Sequence, residues 1–212
     1  MGPARVTLTG RYVTVAPLDP IKHTESLWEG SGGAANAELW EWMWDGPFPD
    51  RASFGEQLRA KARSEDPLFS AYIDNTSGRA VGFGSFMRID DKNQVIEVGS
   101  LMFGRAMQRT RLSTEAMYLM AKYVFEDLGY RRYEWKCNAL NEPSRRTALR
   151  LGFTFEGIFR QHMIVKGKNR DTAWFAMLDG EWPTRKAEFV RWLDPANFDE
   201  AGVQKTRLIQ SS

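Results

Sequence analysis

Apolar and polar residues alternate between 6 and 18 around a Thr9-Gly10-Arg11 break, with Val6 and Leu8 before it and Tyr12, Val13, Val15 and Leu18 after it. Alternation with a period of two marks half-buried strands, so one or two strands open the chain. From 20 to 63 the spacing turns helical, broken by Gly30-Ser31-Gly32-Gly33 and by Asp45-Gly46-Pro47-Phe48-Pro49. Strand patterns follow at 68–74, 80–89 and 94–103. The turn-forming Asn75-Thr76-Ser77-Gly78 and Asp90-Asp91-Lys92-Asn93 join them into a predicted antiparallel meander. Leu112, Ala116, Leu119, Met120 and Tyr123 make one apolar stripe, which predicts a helix over 112–128 capped by Gly129. A strand at 132–137, a short helix at 143–151, a strand from Phe153 to near Arg160, a turn at 166–169, a strand at 172–178 and a helix at 182–193 complete the pattern. From Asp194 the chain is polar and reads as a loosely held tail.

The unit 94–103, 112–128, 132–137 predicts two parallel strands joined by a right-handed crossover. The fold class is therefore α/β (or α+β) with a mixed sheet. At 212 residues the chain is one domain, or one with an appended tail. Its 29 basic and 27 acidic residues give a net charge of +2, which argues against a nucleic-acid binder. The lone Cys137 forms no intrachain disulfide, and with only His23 and His162 it builds no His/Cys zinc site, so no metal is expected. Cys137 reads as a buried hydrophobe rather than a nucleophile. No apolar run approaches the roughly 18 residues of a membrane span, and the N-terminal segment lacks an apolar signal core. A soluble cytoplasmic protein without membrane contact is expected.

The segment from Glu97 to Ala116 is a strand, a short loop and a helix start. The first amides of such a helix lack intrahelical partners and carry its positive dipole end, which suits an anion. The same segment also suits an ordinary helix start, with Ser113 or Thr114 as cap and Glu115 in the first turn. Three motifs bear on the choice: Gln108-Arg-Thr-Arg-Leu-Ser-Thr-Glu-Ala116, Asn141-Glu-Pro-Ser-Arg-Arg146 and Leu151-Gly-Phe-Thr-Phe-Glu-Gly-Ile-Phe-Arg160. Lys168-Asn-Arg-Asp171 follows them. In order and spacing the chain resembles the GNAT superfamily of acyl-CoA-dependent N-acetyltransferases, most closely its branch of ribosomal-protein N-terminal acetyltransferase-like proteins. The resemblance runs from about Leu8 to Pro183. It implies an acetyltransferase domain over 1–183, with 184–212 a helix and tail packed on it or trailing from it.

The resemblance further implies a splayed mixed sheet that takes acetyl-CoA as co-substrate between strands 94–103 and 132–137. Main-chain amides at Leu101, Met102 and Phe103 would face the thioester. Gln108, Arg109, Thr110, Arg111, Leu112, Ser113 and Thr114 would hold the pyrophosphate. Arg111 stands where the family usually has glycine, and Arg109 where the branch often has another. Arg111 serves there only if its backbone is helical and its side chain points away. Asn141 would cap a helix and hold the pantetheine arm, and Arg145 with Arg146 would meet the adenosine phosphate. Glu97 precedes Gln108 by 11 positions, the spacing of the base glutamate in the histone-acetylating branch. The usual acid tyrosine is replaced by Ala148, and Ser144 is the substitute the branch suggests.

Trp40 and Trp44 would share a helix face at i, i+4, with Trp42 pointing elsewhere. Trp42, Trp44 and His162 are thus candidates for the acceptor side, against a plain core or dimer role. The expected function is acetyl transfer to a small-molecule or peptide amine, with a homodimer left open. The rival readings are a CoA-binding protein of the same fold with little or no catalysis, and a phosphate-binding regulatory domain.

Overall fold

The computed structural model describes residues 2–209. Eight strands form one sheet in the order β1-β2-β3-β4-β5-β6-β8-β7. They are β1 (Leu8–Thr9), β2 (Val13–Pro17), β3 (Leu68–Asp74), β4 (Ala80–Asp90), β5 (Val95–Phe103), β6 (Arg132–Asn138), β7 (Thr154–Val165) and β8 (Lys168–Leu178). The expected meander is present as β3-β4-β5. β5 and β6 are the parallel pair, joined through α3 (Arg111–Lys122).

Helices α1 (Pro20–Ser31) and α2 (Arg51–Arg63) bury Leu27, Phe54 and Leu58 with Trp40 against Phe69, Ala71 and Phe83 on one face. Each such side chain contributes roughly 1.5–3 kcal/mol on leaving water. On the other face α3 sets Met117 and Met120 against Ile96, Val98, Tyr133 and Trp135, and α5 (Trp182–Leu193) adds Phe189 and Trp192. α4 (Glu142–Arg150) follows β6. None of the described helices is long and apolar enough to cross a membrane.

Three elements depart from the sequence pattern. The helix expected over 112–128 is α-helical only to Lys122, and Tyr123–Asp127 is wound as a π-helix before Gly129 turns at φ 66°. The wider turn carries both Tyr123 and Val124 inward, and the Tyr123 hydroxyl accepts the Ala4 N–H at 3.0 Å. The strand expected to end near Arg160 runs on to Val165. It bends between Phe159 and Met163, where the register shifts and Gln161 takes φ 49°. The tail is not loose. Phe198 and Leu208 are buried in the main core, while Asn197 donates to Trp192 O (3.0 Å) and accepts from the Thr206 amide (3.0 Å). Two buried apolar side chains and the Asn197 hydrogen bonds seat a stretch that reads as polar.

Both ends of the chain meet at the start of α3. The Glu115 carboxylate, 5% exposed, accepts the backbone N–H groups of Arg11, Tyr12 and Val13 at 2.9, 2.6 and 2.9 Å. A Cβ at Gly10 would fall 2.5 Å from that carboxylate, so only glycine fits there. Glu115→Ala leaves three part-buried donors without their acceptor. It should lower the unfolding free energy by about 2–4 kcal/mol, read by urea denaturation. A loss below about 1 kcal/mol would mean that the turn stands without the carboxylate.

Candidate active site

β5 and β6 exchange partners from Val95 with Arg132 to Val98 with Trp135, and then stop, although β5 continues to Phe103 and β6 to Asn138. The strands part at this point into a wedge. Backbone donors and acceptors in such a gap require partners from outside the sheet. Leu101, Met102 and Phe103 lie on the β5 side of the wedge. There β5 bulges against β4, and Ser100 takes φ 51°. A Cβ at Gly84 would strike the Tyr72 hydroxyl at 2.1 Å and Leu101 at 2.6 Å, so β4 needs glycine to let the bulge form.

The loop from Gly104 leads from the wedge into α3. Thr110 is the N-cap residue, but its side chain makes no cap bond; its hydroxyl donates back to Met107 O at 2.7 Å. Neither Ser113 nor Thr114 caps the helix. Ser113 donates to Thr110 O at 3.0 Å, and Thr114 accepts from Arg150 Nη1 at 3.0 Å. By contrast Asp19, Asp50 and Asn141 each cap their helices by side chain. The first amides of α3 are thus left open to an anion. Arg109 carries the left-handed turn at φ 57°, doing with a side chain what glycine does more easily. Arg111 begins the helix, and its guanidinium lies between the Tyr12 and Phe198 rings, 4.7 Å from each. Its side chain is therefore drawn away from the loop. Gln108 braces the loop through Nε2 to Phe103 O at 2.9 Å.

Asn141 caps α4 by accepting the Ser144 N–H at 3.1 Å. The Ser144 hydroxyl accepts Trp135 Nε1 at 3.0 Å and turns its own proton toward the Cys137 sulfur. Arg145 reaches Ala139 O and Glu142, both at 3.4 Å, and its buried Nε has no protein partner. Arg146 pairs with Glu142 at 3.6 Å. Ala148 is fully buried, and burial pushes the neighbouring Cys137 thiol above its ordinary value, so the thiol is a poor nucleophile.

On the face of the wedge turned toward α1 and α2, Glu97 is 5% exposed and meets Lys136 Nζ at 2.9 Å and Arg88 Nε at 3.1 Å. Lys136 also contacts Glu134 at 2.6 Å and lies 3.9 Å from the Trp174 ring. Burial raises the Glu97 pKa above the ordinary carboxylate value, and Lys136 and Arg88 oppose that rise. His162 contacts Thr172 Oγ1 at 2.9 Å through Nδ1. Its pKa is lowered by burial and by the charges of Arg88, Arg170 and Lys136, which favours a neutral ring. The cluster thus offers a buried carboxylate, a neutral imidazole and several cations beside the gap.

The tryptophan stretch is not one helix. A 3-10 turn spans Ala34–Trp40 and irregular turns follow, so Trp40 and Trp44 share no face. The Asp45-to-Pro49 breakers, acting from just beyond the stretch, stop a helix from propagating through it. Trp40 belongs to the core at 1% exposure, Trp42 is half-buried, and Trp44 is 39% exposed with the Arg170 guanidinium 4.8 Å from its ring. Lys166 Nζ donates to Trp40 O at 2.8 Å and ties the β7–β8 hairpin to this segment. Sequence reasoning missed Arg88, Lys136, Arg170 and Trp174. For Lys136 a signal exists in the Glu134-Trp135-Lys136 alternation: an interior strand flanked on both sides is expected to be apolar on both faces. Among the described residues, no group of three His, Cys, Asp or Glu side chains could hold a metal.

The profile described as "Acetyltransferase (GNAT) domain" matches residues 18–154. A crystal structure of a GCN5-related N-acetyltransferase from Brucella melitensis is 50% identical, covers 97% of this chain and 93% of its own, and superposes with a TM-score of 0.95. N-acetyltransferase p20 of Bacillus licheniformis, itself uncharacterized, is 30% identical over 152 residues, 70% of this chain and 84% of its own. YdaF of Bacillus subtilis (strain 168), whose name assigns it provisionally to ribosomal N-acetylation, is 28% identical over 109 residues. That alignment covers 51% of this chain and 59% of YdaF.

The Arg111 sandwich yields a separable test. Arg111→Ala removes two cation–aromatic contacts and should cost about 1–2 kcal/mol of stability while speeding hydrogen exchange across 195–208. Unchanged exchange there would show that the tail is held by Phe198 and Leu208 burial alone.

Proposed function

Because the chain belongs to the GNAT acetyltransferase family, we propose that it moves an acetyl group from acetyl-CoA directly to an amine, within a unit spanning 1–183. The observation that carries this reading is the parting of β5 from β6 beside a buried, base-like Glu97 and an uncapped α3. The uncapped amides and open wedge fit a phosphate-bearing thioester, and the bound acetyl-CoA would supply the activated acyl carbon. The amides of Arg109 to Thr114, with Gln108 bracing them, would hold its pyrophosphate. Leu101, Met102 and Phe103 would bond the arm and the developing oxyanion, with Asn141 on the opposite wall. Arg145, whose Nε has no partner, would meet the adenosine end.

The amine nitrogen forms the new N–C bond as the C–S bond breaks. Glu97, directly or through water, takes the proton that the amine loses. Ser144 would turn its O–H from the Cys137 sulfur to the departing sulfur. Trp42, Trp44 and His162 would line the acceptor side. By resemblance the acceptor is a protein N-terminus, or else a small amine. The rival reading, a CoA-binding protein with little catalysis, draws support from buried Ala148 where an acid side chain would be expected.

Acetyl-CoA at about 100 times its Kd should raise stability by roughly 2.7 kcal/mol in thermal unfolding. Free thiol should then appear only when an amine is added. A stabilised protein that releases no thiol across an amine panel would favour the rival. Glu97→Gln should lower kcat by about 10²–10⁴-fold. Because burial raises the Glu97 pKa, the wild-type acid limb should lie above the ordinary value of 4.5, with activity falling as pH drops through it. The variant should lose that limb. A variant with full kcat across pH 6–9 would remove Glu97 from the chemistry.

A further inference from the structure

Arg170 is only 8% exposed, yet its guanidinium makes one hydrogen bond among the described residues, Nε to Thr172 Oγ1 at 3.2 Å. The other buried cations nearby are paired: Lys136 with Glu97 and Glu134, and Lys61 with Asp45. Glu97 is already engaged by Lys136 and Arg88. Asp171 receives the Gln161 amide and Asn169 Nδ2. Thus no described carboxylate lies within ion-pair distance of Arg170, and the Glu97 charge reaches it only from farther off. A buried guanidinium without an anion is costly to maintain. Its terminal nitrogens have no protein partner, but they are not sealed from solvent either. Trp44 covers the plane of the guanidinium at 4.8 Å, leaving its edge for a ligand.

Through Thr172, His162, Trp174 and Lys136, a relay of side-chain contacts joins Arg170 to the cluster around Glu97. We propose that Arg170 is the counter-ion site for the acceptor, and that this protein selects amines carrying a carboxylate close to the nucleophilic nitrogen. The inference rests on the reading of this cluster as the acceptor side. A fork of N–H donors matches a carboxylate in bidentate fashion, with Trp44 as its lid. Without an adjacent carboxylate, Arg170 would at the same time repel a polyamine. The carboxylate could belong to a free amino acid or to an acidic side chain next to a peptide N-terminus.

Calorimetric titration of the full chain, saturated with coenzyme A, tests this. The probes are L-serine and L-methionine, their α-amides, C-terminally amidated tetrapeptides beginning Ser-Glu and Ser-Gln, and spermidine. Carboxylate probes should bind at least about tenfold tighter than their amides. In a folded R170Q variant that ratio should fall to within about twofold, and R170K should keep part of it. Tight Ser-Glu binding would identify a peptide source, and tight binding of the free amino acids a metabolite. Should R170Q not fold, R170K and the wild-type ratio decide. Equal binding of amides or spermidine, no binding of any probe, or a ratio that survives in R170Q would overturn the proposal. Carboxylates that bind without acetyl transfer would instead refute the catalytic reading and leave the anion site standing.

Discussion

Two parallel strands that stop pairing create a demand that the rest of the molecule answers. Past Val98 and Trp135 the edges of β5 and β6 face a gap, and an unpaired buried backbone group costs about as much as a lost hydrogen bond. The sheet tolerates this because each strand stays anchored on its far side, β5 by β4 and β6 by β8. The candidate site residues are arranged around that gap. The α3 N-terminus lies at one end, Asn141 and Ser144 line the α4 wall, and the buried ions lie on the α1–α2 face.

The ion cluster sets opposing effects on one carboxylate. Burial disfavours the charged form of Glu97, whereas Lys136 and Arg88 beside it favour the anion. Burial is the larger effect, so Glu97 is harder to ionise than an exposed carboxylate. A fully exposed glutamate would hold a proton less readily.

Much of this was legible in the chain, because the signals were local and repeated. The meander followed from alternation and turn residues, and the crossover from the long stripe at Leu112 to Tyr123. The role of Arg111 was framed as a condition, helical backbone and averted side chain, and the structure meets it. What escaped depended on long-range partners. Whether Trp40 is core or lip depends on Phe54 and Phe83, and no i, i+4 count contains them. The seating of the tail depends on Phe198 meeting Arg111, residues 87 positions apart. The isolation of Arg170 is a missing partner, which a linear reading cannot see.

The clamp on α3 also orders events in time. Glu115 is fastened by residues 11–13, and Arg111 is gripped by Tyr12 from one end of the chain and Phe198 from the other. A ribosome delivers these pieces in sequence, residues 11–13 well before α3 and Phe198 well after it. Contacts of such span close late, after local structure has formed. The nascent chain can therefore assemble its meander and aromatic core while the first turn of α3 still lacks the Phe198 half of its clamp.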